Sequence, residues 1–122
     1  MMRQAAATIV VVDDDNDVRD SLRILLESFG YSVRTHGNGA DCLGDPHLSD
    51  AGCAILDVNL PGMSGLEIAA DMSRRGLDLP VILITGGGKA KLGRSLPPGV
   101  LGVLEKPFTE DLLLSLIRLA LA

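Results

Sequence analysis

Residues 8–17, TIVVVDDDND, join an apolar run to a cluster of acids. The first five residues are all β-branched, a pattern typical of a short strand buried on both faces. Three consecutive aspartates, from Asp13 to Asp15, follow at once. Carboxylates this close repel one another and raise each other's pKa unless a cation joins them. The stretch therefore predicts a buried strand, and the acids at its carboxyl end form either a cation site or an ordinary solvated loop.

Outward from this stretch, strand and helix patterns alternate along the chain. Further strands are predicted at residues 31–36, 53–56, 81–85 and 100–104. Amphipathic or capped segments between and after them predict helices at residues 18–29, 38–43, 64–75 and 110–121. This alternation is typical of a parallel sheet with helices on both faces. The predicted fold class is therefore α/β, with a doubly wound parallel sheet.

Composition limits the classes of function. The chain has 122 residues, 47% of them hydrophobic and 2% aromatic, so we expect one domain over residues 1–122 with an aliphatic core. Lys and Arg total 11 against 16 acids, a net charge of -5, which argues against direct nucleic-acid binding by this domain. No apolar segment is long enough to cross a membrane. Cys42 and Cys53 lack metal or redox spacing, which fits a cytoplasmic location.

Polar side chains also stand at or just beyond the ends of the later predicted strands. These are Asp57, Thr85 and Lys106. In doubly wound sheets, ligands bind beyond the carboxyl ends of the strands. Taken singly, each of these residues has an ordinary explanation as a loop acid, a strand-end threonine or a surface lysine. Their shared position with Asp13 and Asp14 favours one functional site.

The pattern resembles the receiver domain of bacterial response regulators, the proteins of two-component signalling. The resemblance covers nearly the whole chain and is carried by five features: Val12-Asp13-Asp14, Leu56-Asp57, Asn59-Leu60-Pro61-Gly62-Met63-Ser64-Gly65, Thr85-Gly86 and Lys106-Pro107-Phe108. The loop and the Glu-Lys-Pro-Phe ending are most similar to receivers that precede DNA-binding output domains. The resemblance implies a flavodoxin-like, five-stranded parallel sheet of order 2-1-3-4-5.

The resemblance also implies that Asp57 accepts a phosphoryl group from a sensor histidine kinase, with Mg²⁺ as the cofactor. Asp14, Asp57 and the backbone carbonyl of Asn59 would bind the ion, and Asp13 would hold a water on it. Mg²⁺ prefers oxygen ligands of this kind. Within the run of three acids, Asp13 and Asp14 are the preferred pair because they directly follow the strand. Asp15 is then left to cap the first helix.

Two further site residues follow from the same resemblance. Thr85 would donate a hydroxyl hydrogen bond to a phosphoryl oxygen, and Lys106 would offset the charge on the phosphoryl group. The Lys106-Pro107 peptide bond is expected to be cis. The chain would then be a phosphoacceptor switch, not an enzyme that turns over other substrates.

The sequence departs from the family pattern at two places. Val103 and Leu104 stand where the family usually has an aromatic side chain that couples to the threonine. Residues 86–99 contain five glycines and two prolines, which argue against the helix that the family places there. We therefore expect a weak or disordered fourth helix.

Three functions remain open on the sequence alone. The first is a phosphorylation switch, and the second is a degenerate receiver that acts as a phosphorylation-independent interaction module. The third is a Mg²⁺-dependent phosphatase, which needs a second acid where this chain has Asn59. Expected partners are a sensor histidine kinase and a fused or separate output domain, without a membrane. The largely apolar last helix is a candidate homodimer surface. His36 and His47 are expected to be exposed and without a role.

Overall fold

In the computed structural model, residues 7–87 and 95–122 are described, and they form a parallel sheet with helices on both faces. The strands are β1 (Thr8–Val12), β2 (Ser32–His36), β3 (Cys53–Asp57), β4 (Val81–Thr85) and β5 (Val100–Glu105). The helices are α1 (Asn16–Ser28), α2 (Gly39–Leu43), α3 (Gly65–Arg74) and α4 (Glu110–Leu121), with a 3-10 turn at Leu48–Asp50. The five strands lie in the order β2-β1-β3-β4-β5, and every pairing is parallel. The predicted fold class and strand order are confirmed.

Two aliphatic layers cover the sheet, one on each face. Successive side chains of a strand point to opposite faces, so a strand buried on both sides contributes to both layers. In β1, Val10 belongs to the layer under α2 and α3, whereas Ile9 belongs to the layer under α1 and α4. The strands β3 and β4 are buried along their whole length. The parallel pairing of β1, β3 and β4 places their carboxyl ends at one edge of the sheet.

The predicted caps lie at the starts of α1 and α3, although α1 begins two residues earlier than predicted, at Asn16. The Asp15 side chain caps α1 by accepting hydrogen bonds from the backbone N–H groups of Asp17 and Val18. At the start of α3, Ser64 and Glu67 form the complete reciprocal capping box. These caps satisfy N–H groups that have no partner within the helix. They also fix where each strand-to-helix loop ends, and these loops carry the site.

The connection between β4 and β5 contains the region of the expected fourth helix. The helix expected to be weak or disordered falls mostly on residues 88–94, which lie outside the described residues. On either side of them, residues 86–87 and 95–99 are not helical. The chain returns to the sheet through a hydrogen bond from the Val81 N–H to the Gly99 carbonyl, at 2.8 Å.

The last helix, α4, packs one face on the sheet and leaves another exposed. Leu113, Leu114 and Ile117 are buried against the sheet. Leu112 is 55% exposed and Leu119 is 63% exposed. Among the described helices, none combines the length and the apolar character that a bilayer span requires.

Candidate functional site

The ends of β1 and β3 bring three carboxylates together. Val12 of β1 pairs with Leu56 of β3, so the next residues, Asp13 and Asp57, leave the sheet side by side. Carboxylate oxygens of Asp13, Asp14 and Asp57, here called the acidic cluster, all lie within 4.8 Å of one another. Asp13 and Asp57 are buried, whereas Asp14 is exposed. The cluster is therefore a buried pair of carboxylates with a third at the solvent side.

The two buried carboxylates are held in the same way. The backbone N–H of Asp15 donates to Oδ1 of Asp13, and that of Asn59 donates to Oδ1 of Asp57, both at 2.9 Å. The remaining oxygens lie near the Lys106 ammonium, whose Nζ is 3.3 Å from Oδ2 of Asp57 and 3.7 Å from Oδ2 of Asp13. Each carboxylate thus has one oxygen fixed by its own loop and one near Lys106.

Among the described residues, the charges at the cluster do not balance, because Lys106 is paired with two of its three carboxylates and no second lysine is paired with them. Burial raises the pKa of Asp13, and the neighbouring Asp57 raises it further. The Asp15 N–H group and the Lys106 ammonium lower that pKa, but less than the other effects together raise it. A divalent cation would remove the repulsion, and three carboxylates are hard oxygen ligands suited to Mg²⁺. The residues present therefore fit this ion.

The loop after Asp57 passes very close to the site. A Cβ atom at Gly65 would lie 2.5 Å from the backbone oxygen of Asp57, so no side chain fits there. Gly62 has a φ of +79°, in the left-handed region that favours glycine. These two glycines let the chain turn sharply into α3 and keep Asn59 beside Asp57. The structure thus brings the backbone of Asn59 to the acidic cluster.

Thr85 and Lys106 lie at the same edge of the sheet. Asp57 pairs with Ile84, the residue before Thr85, and Thr85 is 2% exposed. Its Oγ1 accepts a hydrogen bond from the Gly87 N–H at 3.1 Å, which leaves the hydroxyl hydrogen available. The Lys106 N–H donates to the Thr85 carbonyl at 2.8 Å. The Lys106-Pro107 bond is cis, as expected.

The sequence did not indicate a further buried carboxylate, Asp45, which lies outside the acidic cluster. Asp45 accepts hydrogen bonds from Nε and Nη2 of Arg34 at 2.8 and 3.0 Å, and from the His47 N–H at 2.9 Å. Nε2 of His36 lies 3.0 Å from Oδ2 of Asp45. The prediction that His36 is exposed is wrong, because its side chain is only 16% exposed. Arg34 and His36 stand two residues apart on β2, and this shared face was the available signal.

Comparison with known proteins identifies the family. A family model for the response regulator receiver domain matches residues 9–118. The chain belongs to this family. The response regulator protein TodT of Pseudomonas putida is 37% identical over 121 residues, which cover 98% of this chain and 53% of TodT. The transcriptional regulatory protein FixJ of Azorhizobium caulinodans is 39% identical over 112 residues, covering 91% of this chain and 53% of FixJ.

A solved structure supports the same assignment. The response regulator protein TrrA from Thermotoga maritima, in complex with Mg²⁺-BeF, superposes with a TM-score of 0.80 at 28% identity. The match covers 93% of this receiver domain and 98% of the TrrA chain. In contrast, this receiver spans about half the length of the curated relatives. Its likeness to receivers of transcriptional regulators agrees with the sequence analysis.

Proposed function

We propose that this receiver domain accepts a phosphoryl group on Asp57 from a phosphohistidine of a partner sensor kinase, with Mg²⁺ required. The observation that carries the proposal is the acidic cluster, in which Asp57 is buried beside a second carboxylate and one lysine. Crowded carboxylates that keep a solvent opening are suited to bind a cation and then an anionic group. The family relationship supports phosphorelay signalling in general.

The proposed step is a displacement at phosphorus. A carboxylate oxygen of Asp57 forms a bond to phosphorus as the N–P bond of the phosphohistidine breaks, and the bonding pair returns to the imidazole nitrogen. The product is an acyl phosphate, which carboxylate nucleophiles are known to form. The protein contributes mainly positioning and charge neutralisation, as is general for phosphoryl transfer.

The chain's own groups divide these tasks. Nζ of Lys106 lies 3.3 Å from Oδ2 of Asp57, so the ammonium can also neutralise charge on the oxygens of a phosphoryl group at Asp57. The Thr85 hydroxyl can donate to one of those oxygens. Asp14, Asp57 and the Asn59 carbonyl would bind Mg²⁺ and Asp13 would support it, and the bound ion would neutralise phosphoryl charge.

The other two functions have less support. A phosphorylation-independent interaction module would not need a set of acids, a threonine and a lysine at one edge of the sheet. All five of these side chains lie at that edge: Asp13, Asp14, Asp57, Thr85 and Lys106. A phosphatase with an aspartate nucleophile needs a second acid two residues later, where the chain has Asn59. We therefore propose a switch and not a turnover enzyme. All of residues 1–122 would form this one domain.

The proposed partners follow from the relatives and from α4. As a receiver similar to those of transcriptional regulators, the domain would act in the cytoplasm and control a DNA-binding output domain, without binding nucleic acid itself. The exposed Leu112 and Leu119 on α4 form a candidate surface for that output domain or for a homodimer.

The direct test is the mass of the intact protein after incubation with a small phosphodonor and Mg²⁺. We expect one added phosphoryl group in the wild-type chain and none after EDTA treatment or in Asp57→Asn. The matched control is Asp50→Asn, which removes an aspartate that is 75% exposed and should leave labelling unchanged. Equal labelling of Asp57→Asn and the wild type would overturn the proposal.

A further inference from the structure

We propose that Arg19 is a positioning residue that orients the acidic cluster for cation binding. The proposal rests on the proposed function, because it concerns the affinity of the same site for Mg²⁺. Arg19 is a half-buried residue in the first turn and a half of α1, and its guanidinium turns back toward the end of β1. It is not itself one of the cation ligands.

The contacts of Arg19 fix the backbone of the first cluster residue. Its Nη1 donates to the backbone carbonyl of Asp13, and its Nη2 donates to Oδ1 of Asn16 at 2.9 Å. On the other side, the Asp13 N–H donates to the His36 carbonyl at 3.2 Å. With Oδ1 of Asp13 held by the Asp15 N–H, this residue is fixed through its N–H, its carbonyl and one side-chain oxygen.

The carbonyl that Arg19 holds belongs to the peptide unit between Asp13 and Asp14. Because a peptide unit is planar, holding its oxygen also helps to fix the position of the Asp14 Cα, from which the side chain leaves the backbone. Asp14 is exposed, so packing against neighbours does not hold it. The hydrogen bond from Arg19 therefore acts on the one member of the cluster whose position burial does not determine.

Gly37 provides the space that this arrangement needs. A Cβ atom at position 37 would lie 3.1 Å from Nη1 of Arg19 and 3.7 Å from its Cζ. The backbone of Gly37 is not in the left-handed region, so alanine can adopt its conformation. Gly37→Ala should therefore push the guanidinium by a few tenths of an ångström, which disturbs its hydrogen bond to Asp13 without changing any charge. This variant moves the Arg19 guanidinium but leaves its charge in place, so the effect of its position can be measured separately from the effect of its charge.

Charge and position predict opposite results when Arg19 is removed. Since the guanidinium is a cation bound to the backbone carbonyl of Asp13, a purely electrostatic role means that Arg19→Ala binds Mg²⁺ more tightly. A positioning role means that Arg19→Ala binds Mg²⁺ more weakly, because the ligands lose their arrangement. Residues that orient metal ligands typically change affinity by about 10-fold or more. The sign of the change therefore distinguishes the two roles.

The test is isothermal titration calorimetry of Mg²⁺ into the wild type and a set of variants, with far-UV circular dichroism to show that each is folded. We expect about 10-fold weaker binding for Arg19→Ala. Arg19→Lys keeps the charge but cannot make both hydrogen bonds of the guanidinium fork, so it should also bind more weakly. The matched control, Arg23→Ala, removes an α1 arginine that pairs with the exposed Asp20, and should bind like the wild type.

The decisive comparison is a double-mutant cycle. Gly37→Ala should weaken Mg²⁺ binding in the wild-type background and have no effect in the Arg19→Ala background. Equal effects of Gly37→Ala in both backgrounds, or unchanged or tighter binding by Arg19→Ala, would overturn the positioning role. If the wild-type chain binds no Mg²⁺, the proposed function fails and this proposal fails with it. If the wild type binds Mg²⁺ and Arg19→Ala binds it equally well, only the positioning role of Arg19 fails.

Discussion

The protein buries aspartates in two places with opposite charge balance. In the acidic cluster, two of the three carboxylates are paired with Lys106 and with no other lysine of the described residues, and burial together with Asp57 raises the pKa of Asp13. At the end of β2, the single carboxylate of Asp45 is surrounded by donors, and Arg34 holds its pKa well below the ordinary range. The side chains of Asp13 and Asp45 are both almost fully buried, so burial alone does not explain why their pKa values shift in opposite directions.

The difference separates a structural ion pair from a binding site. Asp45 has its hydrogen bonds satisfied within the fold, and it ties β2 to the chain that follows α2. The acidic cluster leaves charge uncompensated, which costs folding free energy unless a cation arrives. An arrangement that costs stability and faces solvent is typical of a functional site. The two sites should therefore respond oppositely to the same type of substitution.

The largest expected effect is at the structural pair. Asp45→Asn should lower the free energy of unfolding by about 2 kcal/mol, because the Arg34 and His47 donors lose a buried charged acceptor. Urea denaturation followed by circular dichroism measures this change. Asp50→Asn, at a 75% exposed side chain, is the control and should change little. An Asp45→Asn variant as stable as the control would contradict the structural assignment.

Lys106→Ala should act on chemistry more than on cation binding. Lys106 lies beside Asp57, the proposed phosphoacceptor, so its loss should slow labelling by the phosphodonor about tenfold. The affinity for Mg²⁺ should change less, because the lysine is not a ligand and repels the ion. Labelling rates and calorimetry measure the two quantities separately, with Arg118→Ala as a control for the loss of one positive charge. Equal losses of rate and affinity would mean that the role of Lys106 is wrongly assigned.

Asp13→Asn should have the opposite sign to Asp45→Asn. It removes one charge from the crowded cluster, and we expect the free energy of unfolding without Mg²⁺ to rise by about 1 kcal/mol. The same urea experiment measures this gain. A loss of stability similar to that of Asp45→Asn would show that the cluster is a satisfied structural network.

The smallest expected effect is a difference in pH dependence. The raised pKa of Asp13 means that its protonation favours the folded chain, so its destabilisation disappears as pH falls through the raised folded value toward 3.8. The lowered pKa of Asp45 means that its stabilisation is complete above 3.8 and is lost only below it.

Denaturation at a series of pH values tests this difference. The advantage of Asp13→Asn over the wild type should shrink between about pH 7 and about pH 4. The deficit of Asp45→Asn should persist over that interval and shrink at lower pH. If the two variants' differences in free energy of unfolding from the wild type changed with pH in the same way, the two sites would not differ in charge balance.

Local sequence signals were sufficient for most of the fold. The strand Val81–Thr85 and the helix Glu110–Leu121 were predicted with the bounds that the structure has, because an apolar run and a Thr109 cap define them. The acidic cluster was also accessible, since its members directly follow strands whose parallel order brings their ends together. The sequence motifs and the predicted strand order therefore both indicated the acidic cluster.

The Asp45 pair could not be found in this way. Asp45 precedes Pro46 in a polar loop, and its partner Arg34 lies 11 residues earlier, on the edge strand β2. The contact depends on how the α2 connection returns past β2, which no local pattern encodes. The contact of Arg19 with Asp13 was missed for a related reason, because an arginine on an amphipathic helix is ordinarily a solvated residue.

Within the described residues the acidic cluster is short of positive charge, and we expect Mg²⁺ to supply it. The most direct measurement is the free energy of unfolding with and without Mg²⁺, against NaCl at equal ionic strength. The wild type and Asp45→Asn should both gain about 1.4 kcal/mol at a Mg²⁺ concentration ten times the dissociation constant, and Asp13→Asn should gain less. An equal gain in all three proteins, or none in the wild type, would contradict the account.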